Sequence, residues 1–269
     1  MDIVLGSTPD FFSAGELTHV NREGFFNEYC SCGQKIKECP LWSDVFKEWI
    51  DQMDMEFSEY RVLRNKFEGN KAFLRVVKNH LWPSQEWKEY SKVTKLFYDL
   101  IYYHTSANLI IDSSKPSTRL FLLNGFAKVR GLHVCRSFAG VLNSEKKNVQ
   151  IDLKNGIESA SAPKPTMNVF RAWLLTNLTC AFTAIFFQIE RVKFDKFIDA
   201  PTILRRFNPA LPVELTDGLY KPEHMVAGNA IRLKPPQKIK RATKIKYDRL
   251  TKFQKGAAAL IDRLFWFWS

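Results

Sequence analysis

The stretch 108–147, NLIIDSSKPSTRLFLLNGFAKVRGLHVCRSFAGVLNSEKK, constrains this chain most, because strand and helix signals alternate in it over four short segments. Leu109, Ile110 and Ile111 form an apolar run ending at Asp112, which suits a buried strand of a parallel sheet. Ser113, Ser114, Lys115 and Pro116 make a polar turn, with Pro116 placed for the first turn of a helix. Leu120, Leu123, Phe126 and Ala127 supply that helix with an apolar face. Gly131 breaks the chain, a strand resumes over 132–135, and Arg136 stands at its carboxyl end before a second helix carrying Ser144.

Lys115 and Arg136 therefore fall at strand ends, where open α/β sheets bind ligands and where free helix N–H groups meet anions. Two turns of helix bring the Ser144 hydroxyl back toward a ligand at Arg136. An anionic ligand is one reading; ordinary solvated charges are the other.

DSSKPSTR followed by HVCRSFAGVLNSEKK resembles the paired signature of sulfotransferases that use 3′-phosphoadenosine 5′-phosphosulfate as donor. The resemblance implies that Arg136 and Ser144 bind the donor's 3′-phosphate and that Lys115 lies beside the transferring sulfuryl group. Ser137-Phe138 stands where the family usually has Asp-Pro. The match continues in order along the chain. Gly15-Glu16 is similar to a Gly-Glu motif whose glutamate is the catalytic base in related enzymes. RVKFDKF at 191–197 resembles a late strand, with Phe194 in place of the usual tyrosine. His224, Gly228, Asn229 and Arg232 resemble the late loop H-x-x-x-G-N-x-x-R, which implies Arg232 on the 3′-phosphate and Asn229 shaping the loop.

The fold that this implies is α/β: a central, mainly parallel sheet flanked by helices, like that of P-loop NTPases. Family members begin earlier, with a strand and a Ser-Gly-(Ser/Thr)-Thr loop that cradles the 5′-phosphosulfate; here the strand and loop are expected to be absent. Gly6-Ser7-Thr8 imitates the loop, but Pro9 after it has no N–H to donate.

With 45% hydrophobic and 14% aromatic residues among 269, one domain over 1–269 is expected. It carries a helical insertion at about 43–105, rich in aromatics and broken at Pro83, and a basic segment at about 224–269. In the insertion, Lys88, Lys92 and Lys95 read as a solvated face. The net charge of +12 points to polyanionic ligands, and Lys234, Lys238, Lys240, Arg241, Lys244 and Lys246 extend it into a tract that could hold the donor or an acidic acceptor. Nucleic acid is not expected, since no recognition motif accompanies the charge.

Residues 147–165 read as a flexible polar loop, a lid near the acceptor. A long helix is expected over 168–190, buried in the core rather than spanning a membrane, with the sequon Asn177-Leu178-Thr179 unavailable inside it. LIDRLFWFW at 260–268 is read as core, with membrane contact through this aromatic helix the less favoured alternative. The start MDIVL has neither a basic leader nor a long apolar run, so a cytoplasmic location is favoured.

A glutamate in an apolar turn is expected to have a raised pKa and to act as base. Glu16 is therefore the expected base. Cys30, Cys32 and Cys39 could form one disulfide with one free thiol, or chelate zinc with His19 as fourth ligand; structural use is favoured over a metal site. Cys135 and Cys180 read as buried thiols.

The function implied is transfer of a sulfuryl group to a hydroxyl or amine of an acceptor that the sequence does not identify, whether carbohydrate, lipid, small molecule or protein. No metal is required for that chemistry. The alternative is a non-catalytic relative that binds a nucleotide or anionic glycan.

Overall fold

The computed structural model describes residues 2–8, 10–194, 201–211, 218–238 and 247–265. Its elements run α1 (Asp2–Leu5), β1 (Phe11–Gly15), α2 (Trp42–Gln52), α3 (Phe57–Phe67), α4 (Phe73–Leu81), α5 (Gln85–Thr105), β2 (Leu109–Asp112), α6 (Thr118–Leu123), β3 (Gly131–Cys135), α7 (Phe138–Glu145), α8 (Thr166–Thr183), β4 (Ile189–Lys193), α9 (Pro201–Phe207), β5 (Leu219–Tyr220), β6 (Gln237–Lys238) and α10 (Lys252–Leu264). The protein is mixed α/β, and it gathers into two compact units.

The first unit comprises residues 1–129, 153–158 and 219–237. In α2, Trp42, Val45, Phe46 and Trp49 recur at helical spacing and are all buried. Tyr60, Leu63 and Phe67 do the same in α3, which a Glu56–Glu59 capping box starts. Ser84 caps α5 just after Pro83, and Trp87, Tyr90, Val93, Phe97 and Ile101 form its buried stripe. These stripes interlock as aromatic pairs, Trp49 to Phe97 at 4.5 Å and Trp49 to Tyr60 at 4.9 Å between ring centres. The charged face is solvated as expected, with Lys92 paired to Asp54 and Lys95 to Asp99. The helices form the crossover between β1 and β2, which are parallel with Phe11 opposite Leu109 and Gly15 opposite Asp112.

The second unit comprises residues 130–152, 159–218 and 238–269. Here β3 and β4 are parallel, with Cys135 opposite Lys193, and the crossover runs through α7 and α8. Its core gathers Cys135, Phe138, Leu142, Val169, Trp173, Leu250 and Ala258.

Several expectations change. The expected central sheet is replaced, among the described residues, by separate two-stranded sheets. The buried positions of α6 are Thr118, Arg119, Phe121 and Leu122, while Ala127 is exposed. The long helix stops at Thr183, and Ile189 and Glu190 open β4 instead, where Gly131 N–H donates to the Gln188 carbonyl. α8 is not wholly buried: Val169, Trp173, Asn177, Thr179 and Thr183 face inward, while Leu178 and Phe182 are exposed. Asn177 is indeed buried, its amide donating to the Trp173 carbonyl.

No described helix is long and apolar enough to cross a membrane. In α10, Ile261 packs on the core together with the following Phe265, but Leu260 and Leu264 are exposed. Cys135 is buried and Cys180 half-buried. Met1, Pro9, the last three residues (195–197) of the segment read as a late strand, Lys240, Arg241, Lys244, Lys246 and 266–268 lie outside the described residues.

Candidate functional site

The carboxyl ends of β1 and β2 carry Glu16 and Lys115. At Gly15 the backbone turns with φ of 89°, and a Cβ there would stand 1.8 Å from the Val226 carbonyl oxygen. Only glycine fits both the conformation and the approach. The turn lets Val226 N–H donate to the Ala14 carbonyl and Glu16 N–H to that of Val226, which joins the late loop to the end of β1. Gly228 of that loop lies over the Glu16 carboxylate, so close that a Cβ would stand 3.3 Å from Oε1.

Glu16 is buried, with Oε1 3.1 Å from Lys115 Nζ and Oε2 3.1 Å from His19 Nε2. Burial pushes its carboxyl up, but the His19 hydrogen bond and the Lys115 ammonium outweigh burial and hold it below the ordinary glutamate value. The expected raised pKa is thereby corrected. An apolar turn alone would raise it; two partners invisible in the local sequence reverse the sign.

The turn that carries Lys115 is built on Asp112. Ser114 donates its N–H and hydroxyl to Asp112 Oδ1, and Thr18 N–H donates to the Ser114 hydroxyl oxygen at 3.0 Å, binding the two strand ends together. Arg119 donates Nε to Asp112 Oδ2 at 2.9 Å and pairs with Glu68, while Tyr98 and Tyr90 donate to Asp112 and Glu68. Sequence reading missed this buried network, since nothing in the spacing links position 68 to 119. The hydroxyls of Ser113 and Ser117, on either side of Lys115, are buried without a hydrogen-bond partner.

Gly6-Ser7-Thr8 follows a helix and precedes a strand, the reverse order from an anion-binding loop, and Gly6 packs against Ser13. Arg232 is fully buried: it pairs with Glu158 and donates to the carbonyls of Tyr29 and Gly228. Its guanidinium is thus committed inside the protein rather than open to a phosphate. The Asn229 side-chain oxygen accepts from Ile231 N–H within the loop. Residues 153–158 dock on the same segment, with a Cβ at Gly156 only 3.0 Å from Ala230 Cα, so that part of the expected flexible loop is anchored.

Cys30, Cys32 and Cys39 converge with His224, not with His19, which bonds Glu16. Cys39 Sγ lies 3.6 Å from Cys30 Sγ, 3.7 Å from Cys32 Sγ and 3.2 Å from His224 Nδ1.

Compared with protein-family models, curated proteins and solved structures, the chain has no match. The site must therefore be argued from its own geometry.

In the second unit, Arg136 and Phe194 follow the adjacent ends of β3 and β4, with the guanidinium 5.0 Å from the ring centre. Arg136 also lies over the first turn of α7, where a Cβ on Gly140 would stand 3.0 Å from its Nε. Ser144 is one helical turn beyond Gly140 on the same face. The α7 N–H groups are not free as expected: Asp262 accepts from Phe138 and Ala139, and the Ser137 hydroxyl accepts from Gly140. The Arg136 Nε is buried without a partner. Burial and the Arg191 charge opposite hold the His133 imidazole down at about 4, so it stays neutral.

Proposed function

We propose that this chain transfers a sulfuryl group from 3′-phosphoadenosine 5′-phosphosulfate to a hydroxyl or amine of an acceptor. The observation that carries this reading is the buried Glu16 carboxylate held 3.1 Å from Lys115 Nζ where two parallel strands end. Parallel strands place ligands at their carboxyl ends. A buried carboxylate beside an exposed ammonium suits a transfer in which a proton leaves as negative charge develops.

In the proposed step the acceptor oxygen or nitrogen attacks sulfur in line, and its proton passes to Glu16. The bond from sulfur to the phosphate oxygen breaks, and its electron pair stays on that oxygen. Lys115, exposed but for its bond to Glu16, moves its charge onto the sulfuryl oxygens or the leaving phosphate. As Lys115 turns to the donor, Glu16 loses a cation and gains basicity where its proton is needed.

Arg136 and Ser144 are assigned to the donor's 3′-phosphate, and Asn229 to loop shape. The burial of Arg232 against Glu158 supports a role in holding that loop, from which it would reach a phosphate only by giving up its partner.

Calorimetric titration with 3′-phosphoadenosine 5′-phosphate, beside Arg136→Ala, tests the nucleotide site. Binding that the substitution abolishes is expected. A folded chain that does not bind would end the donor assignment, and turnover unchanged by Glu16→Gln would end that of the base.

A further inference from the structure

We propose that Cys30, Cys32, Cys39 and His224 bind one zinc ion, which ties the late loop to the amino-terminal cysteine hairpin. Around zinc at ordinary bond lengths, tetrahedral geometry separates two sulfurs by about 3.8 Å, and a sulfur from a nitrogen by about 3.5 Å. The observed sulfur separations of 3.6 and 3.7 Å, with 3.2 and 3.9 Å from Cys39 and Cys30 sulfurs to His224 Nδ1, scatter around those edges. All four ligand atoms lie within 4.8 Å of one another. A disulfide needs sulfurs at about 2.0 Å and would leave the third thiol and the imidazole without a purpose at this point.

The surroundings are built for a fixed ion. Cys30 and Cys32 sit on a tight hairpin in which Cys30 N–H donates to the Gln34 carbonyl and Gly33, with φ of 93°, donates back to Cys30. Backbone N–H groups of Leu41 and Trp42 reach the Cys39 sulfur, that of Cys32 reaches Cys30, and that of Gln34 reaches Cys32. Such outer contacts orient and stabilise thiolate ligands. On the other side, the Trp42 indole donates to the His224 carbonyl, while Ser31 and Met225 exchange two hydrogen bonds. Three soft thiolates with one imidazole form a closed structural set for zinc, with no position left for a substrate.

The ion's role follows from its neighbours in the chain. His224 lies two residues before Val226, which is bonded to the end of β1, and four before Gly228, which covers Glu16. Zinc at His224 would hold that loop in register over the carboxylate. The inference does not depend on sulfuryl transfer, because it rests on the thiol cluster alone.

Elemental analysis of the full chain, purified under reducing conditions without chelator, tests it. About one zinc per chain is expected, retained in His224→Cys and in the control Cys135→Ser, and lost in His224→Ala and Cys39→Ser. Cobalt substitution of the unaltered protein should give thiolate-to-cobalt charge-transfer absorption and intense tetrahedral bands, a readout that does not depend on the variants folding. A folded chain that carries no zinc and gives no such cobalt spectrum would overturn the proposal. So would an intact mass, measured on protein prepared without reductant, lacking two hydrogens that map to a disulfide within the cluster.

Discussion

Lys115 and Glu16 form an ion pair between unequal partners: the lysine side chain is 78% exposed and the glutamate 9%. The buried partner therefore depends on the exposed one. In Lys115→Ala the burial of Glu16 remains while a cation that lowers its pKa is lost, so the Glu16 carboxyl should titrate at higher pH than in the unaltered protein. Carbon-13 NMR of the side-chain carboxyl checks this; an unmoved titration would mean that the pair does not persist in solution.

The same depressed pKa gives a pH dependence of stability. Because the folded value lies below the unfolded one, the contribution is fully present above the ordinary glutamate range and is lost as pH falls through the folded value. Urea unfolding of the unaltered protein and of Glu16→Gln from neutral to acid pH should show the gap between them shrinking on the acid side. A gap that widened there would reverse the sign assigned to Glu16.

Gly15→Ala sets a Cβ against the Val226 carbonyl in a left-handed conformation. We expect a loss of about 3 kcal/mol or more in urea unfolding. Gly33, also left-handed but with open space around it, should cost about 1 kcal/mol when changed to alanine.

Arg119→Met removes the buried cation that Glu68 and Asp112 share, leaving Glu68 with Arg64 alone and the buried Asp112 carboxylate without its arginine. The expected cost is about 3–5 kcal/mol. Lys92→Ala, which breaks a pair whose side chains are about 70% exposed, should change stability by less than about 0.5 kcal/mol. Equal effects in denaturant titrations would contradict the contrast in burial.

Asp262 caps α7 from α10, 2.6 Å from Phe138 N and 3.2 Å from Ala139 N. Asp262→Ala should cost about 1–2 kcal/mol and raise amide exchange at Phe138 and Ala139. Exchange unchanged there would mean that another group had taken over the cap.

What the sequence by itself determined is local. The four helices between 42 and 105, the interruption at Pro83 and the strand–turn–helix order around Lys115 and Arg136 follow from apolar spacing and capping residues within a few positions of each other. Periodicity reports which face of a segment avoids water, and that survives into the fold. It fails where polar groups are carried inward, as at Arg119, and where a turn ends a run that still looks helical, as after Thr183.

Only the tertiary structure decided the rest, because the deciding partners are far apart in the chain. His224 rather than His19 completes the thiol cluster, and Glu158 takes up Arg232. Lys115 and His19 together turn the Glu16 pKa downward against its burial. Charge, hydrogen bonding and metal geometry act over a few ångströms in space whatever the separation along the chain, so the spacing of residues in a sequence does not contain them.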